Sequence, residues 1–171
     1  MILNPGDIFC VTGDSLVQSA IKGCNSVASV DGKADYGHAG IITSSAGSTF
    51  EAVERYSRHN IFQRYEGCEI LIGRHVNMTL AAHEAGMKAI SHLEGSMYPW
   101  FRLAVYLVPY LPKFVHFGKP VCSELVFMYL SAADMNDCDY FWGVSPDYVA
   151  DAIHRWDVFE PIFEGRLQNV Q

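Results

Sequence analysis

Read for its alternation of apolar and polar positions, the chain divides into short β-type runs and a few helical stripes. Asn4-Pro5-Gly6-Asp7 is a turn signal, and Ile8-Phe9-Cys10-Val11 behind it is a short apolar strand closed by Gly13-Asp14. Ser15 caps a predicted short helix through Ile21, with Leu16, Val17, Ala20 and Ile21 on one face. Gly23 to Asp35, rich in Gly, Ser, Asn and Asp, is a predicted loop. Tyr36 to Thr43 and Thr49 to Val53 are β-prone runs around a small Gly-containing turn, the pattern of a hairpin. With Thr43 opposite Thr49, Glu51 falls close to Ile41 and His38 lies a few residues along the neighbouring strand. In that register, direct contact between His38 and Glu51 requires a bulge or a slip.

Tyr56 to Gly67 is polar and mixed and is expected to be irregular, whereas Cys68 to Arg74 is a third strand. Thr79 opens a helix carrying Ala82, Ala85, Met87, Ala89, Ile90 and Leu93 and ending at Gly95. Tyr98 to Phe117 is the most apolar stretch, expected to be largely buried or to wall a substrate cleft. Its uninterrupted run from Leu103 is about half the length a bilayer requires, and Arg102, Pro109 and Pro112 punctuate it, so membrane insertion is not expected. Leu125, Val126, Tyr129 and Leu130 form one helix face behind Pro120, which belongs at a helix start. Ser131 to Asp139 is a predicted polar turn and Tyr140 to Val144 an aromatic strand or loop. Ser145 and Pro146 begin a helix with Val149, Ile153 and Trp156 as its stripe, and Trp156 to Phe159 is a predicted last strand.

Composition narrows the classes. A chain of 171 residues, half of them apolar and 18% charged, is long enough for one domain with a core, spanning 1–171, and is not of the disordered type. A net charge of -7, from 12 basic and 19 acidic residues, argues against nucleic acid as a partner, which requires a basic surface. The five cysteines are scattered without CxxC spacing, and the seven histidines form no HExxH pair. Neither a disulfide framework nor a metal site is expected, and no cofactor is implied. The N-terminus has no basic n-region and no long apolar h-region, so the expected setting is a reducing, cytoplasmic one.

Candidate chemistry centres on Cys122. Two residues after Pro120, it falls in the first turn of its helix, where free backbone N–H groups and the positive end of the helix dipole favour a thiolate. A nucleophilic thiol needs a base, and the base needs an orienting group. His38 at one strand start and Glu51 on the adjacent strand supply the types required. Tyr36, two residues before the base, offers either a hydroxyl for the oxyanion or an aromatic packing group. Glu124 reads as a helix-dipole partner in the first turn.

The order of short motifs adds a resemblance. Gly6-Asp7-Ile8, His38-Ala39-Gly40-Ile41, Phe50-Glu51-Ala52, Gly95 to Tyr98, Cys122-Ser123-Glu124-Leu125-Val126 and Ser145-Pro146-Asp147 follow one another. This series, from Pro5 to about Val149, resembles the permuted papain-like amidases of the YiiX/YaeF type in the NlpC superfamily, in which the His strand precedes the Cys helix. The resemblance implies an α+β fold: a small antiparallel sheet or half-barrel packed against helices that include the nucleophile helix. It implies Cys122 as nucleophile, His38 as general base and Glu51 as the group orienting the imidazole. It also implies a thioester route for cleaving a peptide or N-acyl amide bond in a small-molecule, peptide or lipid-derived substrate. A branch resembling the lecithin:retinol acyltransferases tends to carry a second His where this chain has Glu51, which favours the amidase side. The competing expectations are a lipid acyltransferase or acyl hydrolase using the same Cys-His site, and a non-catalytic binding module that kept the cleft.

Overall fold

The strand β1 (Ile8–Val11) sets the plan of the fold, because its side chains alternate between two apolar layers. Ile8 and Cys10 enter one buried cluster with the main helices, and Phe9 and Val11 enter another on the opposite face. The computed structural model describes residues 1–12, 35–100, 102, 118–135 and 142–168. The expected helix from Ser15 to Ile21, the loop from 23 to 34, most of the apolar stretch after Arg102 and the pair Tyr140-Phe141 lie outside the described residues.

Around β1 stand β2 (His38–Ile42), β3 (Ser48–Ala52), β4 (Tyr56–Asn60), β5 (Glu69–His75) and β6 (Phe159–Arg166). They form one antiparallel sheet in the order β4-β3-β2-β1-β5-β6. On one face lie the helices α2 (Leu80–Ile90), α3 (Cys122–Ala132) and α4 (Pro146–Arg155), and the single turn α1 (Ile61–Arg64) lies against the other layer. This is the expected α+β arrangement. Helices α2 and α3 approach closely because position 86 is glycine: a Cβ there would sit 2.6 Å from the Tyr129 ring. The predicted caps are in place, with Thr79 accepting from the Ala82 N–H and Ser145 from the Tyr148 N–H. Among the described residues no helix is long and apolar enough to cross a membrane.

Three expectations are corrected. The polar run after Tyr56 is not irregular: Tyr56–Asn60 is an edge strand on β3, and Asn60 then caps α1 by accepting from the Phe62 and Gln63 N–H groups. An edge strand needs no apolar alternation, so its Ser-Arg-His-Asn sequence carries no period-2 signal. The last strand runs Phe159–Arg166 and begins where the predicted one ended, since α4 extends to Arg155 and Trp156 caps it. The third correction concerns register. In the β2–β3 hairpin Gly40 faces Glu51, Ile41 faces Phe50 and Ile42 faces Thr49, one residue from the predicted pairing. The turn is closed by Thr43 N–H to Ser48 O at 2.7 Å, with Gly47 at φ 82°.

Candidate active site

That one-residue difference in register brings the site together. Side chains on neighbouring strands share a face only at even offsets, and a slip of one turns the whole set over. With Glu51 opposite Gly40, His38 is its diagonal neighbour on the same face, within reach of a long side chain. His38 Nε2 and Glu51 Oε2 lie 2.8 Å apart, with no bulge. Both side chains are buried, Glu51 completely.

The carboxylate is held on all sides. Thr49, two residues earlier on the same face of β3, donates from Oγ1 to Glu51 Oε1 at 2.7 Å, and the Tyr65 hydroxyl donates to Oε2. Arg64 Nε stands 3.9 Å from Oε2. Burial alone disfavours the charged form, but the hydrogen bond and charge of His38, with the Tyr65 and Thr49 hydroxyls, hold the Glu51 carboxyl down at about 2. Phe9 meets the imidazole edge-on, with ring centroids at 6.2 Å, and Tyr65 lies against it at 6.1 Å, so the ring has little freedom to turn.

Cys122 comes from the other layer. It is the first residue of α3, directly after the extended Val121, and the His38 side chain acts on its thiol. With Nε2 on Glu51, the other ring nitrogen, Nδ1, is left for the sulfur. The backbone N–H groups of Ala39 and Ser123 also favour the thiolate. Burial pushes the thiol up, yet the imidazole and these two N–H groups outweigh it, and the Cys122 pKa falls below the ordinary thiol value. Burial pushes the imidazole down, but hydrogen bonds to Cys122 and Glu51 and their negative charges win, and the His38 pKa rises. The arrangement therefore favours a thiolate–imidazolium pair. Cys10, on the strand beside His38, shows what happens without the imidazole: its thiol donates to Pro146 O at 3.6 Å and burial raises its pKa well above the ordinary value. Cys10, Cys68 and Cys122 are free thiols.

The structure therefore brings Cys122, His38 and Glu51 together. For Tyr36 the packing alternative describes its place: part of its ring packs on the core, and its hydroxyl donates to Glu164 Oε1 on β6 at 3.3 Å. Thr49 and Tyr65 are site residues that sequence reasoning missed. The period-2 relation of Thr49 to Glu51 is a usable signal, whereas Tyr65 arrives from α1, which had none. Replacing Tyr65 by Phe removes one donor from a buried carboxylate. The expected result is a stability loss of about 1–2 kcal/mol in urea unfolding, with only a few-fold loss of any turnover, since Thr49 and His38 remain.

No protein-family model and no curated relative matches the sequence. Among solved structures, the chain is similar to the crystal structure of metalloprotein YiiX from Escherichia coli O157:H7, with a TM-score of 0.57 and 17% identity over 98% of this chain and 90% of that one. At that identity the likeness is one of fold. YiiX is called a metalloprotein; in the present chain, among the described residues, no group of three or more His, Cys, Asp or Glu could hold an ion. The His38 and Cys122 side chains are instead committed to each other and to Glu51.

Proposed function

We propose that this protein is a cysteine hydrolase of the permuted papain-like type, cleaving an amide bond through a thioester. One observation carries the reading: a buried imidazole, hydrogen-bonded to a fully buried carboxylate, interacts with the thiol at a helix start, its own pKa raised by these partners and that of the thiol lowered by it. The order of the parts, His38 before Cys122, is the permuted one, and the likeness to YiiX agrees with it at the level of fold.

In this mechanism the Cys122 sulfur, its proton held on His38, attacks the substrate carbonyl carbon. The oxyanion that forms lies near the start of α3, where the N–H of Cys122 has no intrahelical acceptor and can donate to it. The C–N bond breaks as His38 protonates the leaving amine. Water then enters, gives a proton to His38 and attacks the thioester carbonyl, releasing the acid and restoring the thiolate–imidazolium pair. Glu51 keeps the ring oriented and its charge balanced throughout. The substrate is a peptide or N-acyl amide, and five scattered cysteines suit a reducing compartment such as the cytoplasm.

A second reading keeps the site and changes the substrate. Residues 103–112 are apolar, and they follow directly on Arg102, which is bound to Glu124 in the first turn of α3. Lipid acyl groups suit a stretch of that composition. The deciding experiment measures iodoacetamide labelling of each cysteine across pH, then turnover on a panel of peptide amides, N-acyl amides and lipid esters. Cys122 is expected to react far faster than Cys10 and Cys68, with a midpoint below that of a free thiol. Uniform labelling would leave a binding module. Preference for long-chain esters over amides would transfer the reading to an acyl hydrolase or acyltransferase.

A further inference from the structure

The residues leading into Cys122 are fastened one by one. Lys119 O accepts from Arg102 Nη1 at 2.9 Å, Pro120 O accepts from the Tyr56 hydroxyl, and Val121 N–H donates to Glu124 Oε2 at 2.9 Å. Glu124 is also the acceptor for Arg102 Nη1 at 2.5 Å, Arg102 Nη2 at 2.7 Å and the Gly143 N–H at 2.8 Å. Its neighbour Ser123 donates to Val144 O at 2.5 Å, so the 142–144 segment is tied to the first turn of α3 at two points. The Trp142 ring lies 4.8 Å from the guanidinium carbon. Arg102 and Glu124 are 1% and 0% exposed. Glu124 thus keeps the first-turn position expected of a helix-dipole partner and is in addition a buried hub.

A carboxylate in the same first turn as a thiolate is a problem as well as a cap. Both anions draw on the same positive helix end, and like charges two residues apart in a buried first turn oppose each other. A buried, bidentate guanidinium cancels the carboxylate while leaving its oxygens free to hold backbone N–H groups. We propose that Arg102 and Glu124 are positioning residues for the Cys122 reaction: Glu124 fixes the backbone before the sulfur and the 142–144 segment, and Arg102 neutralises Glu124 so that it does not oppose the thiolate. This rests on Cys122 being the nucleophile. Among the described residues, the other titratable groups that interact with Cys122 are His38 from β2, Cys10 from β1 and Tyr56 from β4, with Asp147 of α4 acting on Cys10, and the test leaves them in place.

The test is the pH dependence of Cys122 alkylation by iodoacetamide, followed by mass spectrometry, with thermal unfolding recorded alongside. Glu124→Gln keeps the shape and removes the negative charge while the guanidinium stays, so the midpoint is expected to fall by about one pH unit. Arg102→Met removes the guanidinium while the carboxylate stays, so the midpoint is expected to rise by about as much. The double variant is expected to return to within about 0.3 of the wild-type midpoint, because the two shifts are opposite in sign and cancel. A purely structural role predicts something else: every variant loses the site's order and moves upward toward a free thiol. That result overturns the proposal, as does an unchanged midpoint in Glu124→Gln. If Arg102→Met does not fold, Glu124→Gln and the double variant decide by the same criteria. A wild-type Cys122 no more reactive than Cys68 sinks the nucleophile reading and the clamp with it. A reactive wild type with shifts of one sign sinks the clamp alone.

Discussion

Replacing His38 by alanine is expected to lower turnover by about a thousandfold or more, close to the loss in Cys122→Ala, because the imidazole serves as both proton acceptor and proton donor. The same variant carries a sharper signature in the thiol itself. In the intact site, burial and the imidazole act on Cys122 in opposite directions, and the imidazole wins. Without the ring, burial remains and the opposing cation is gone, so the alkylation midpoint of Cys122 moves up, past that of an exposed thiol. Cys10 is the internal reference, a neighbouring thiol already raised by burial. Iodoacetamide kinetics on both cysteines, before and after the substitution, check this directly. A midpoint unchanged in His38→Ala would mean that the helix start and the N–H groups of Ala39 and Ser123 suffice to make the thiolate, and the dyad would lose its basis. Glu51→Ala is expected to be milder, since it removes the ring's orienting partner and leaves the proton carrier.

How much of this was open to sequence reasoning depends on the range of each signal. The head of α3 was legible because its cues are local: a proline, a cysteine two residues on and an apolar stripe behind them all lie within 11 residues. The α4 cap at Ser145-Pro146 was legible for the same reason. The hairpin was recognisable but its register was not, because Thr43 and Thr49 bracket a turn whose closure is made one step further in, from Thr43 N–H to Ser48 O. That one step decides whether His38 and Glu51 share a face. Residues at β4 and α1 gave no periodic pattern, and Tyr65 was missed with them. The Arg102–Glu124 hub spans 22 positions and depends on burying two charges, which a sequence gives no reason to expect. Chemistry carried by residue type was readable, whereas chemistry created by burial was not.

The register has a steric keeper, and removing it is expected to damage fold and site together. Gly40 sits opposite Glu51 on the face that carries His38. A Cβ at position 40 would lie 2.6 Å from Phe9 Cζ, 2.7 Å from Phe9 Cε1 and 3.1 Å from Glu51 Cβ. Phe9 is fully buried and touches both the imidazole and Tyr65, so its ring cannot swing away without moving them. Gly40→Ala is therefore expected to destabilise by about 1–3 kcal/mol, the usual range for overpacking a closed core. Displacing the triad by even an ångström adds a turnover loss of about a hundredfold. Thr79→Ala, which removes the cap of α2 at a cost of about 1 kcal/mol, is the control for stability loss alone and is expected to keep full turnover. Adding Phe9→Leu to Gly40→Ala makes room for the new methyl and is expected to recover part of both losses. Wild-type stability and turnover in Gly40→Ala would show that β2 and β3 tolerate another spacing, and the diagonal contact between His38 and Glu51 would then no longer explain how the site is held.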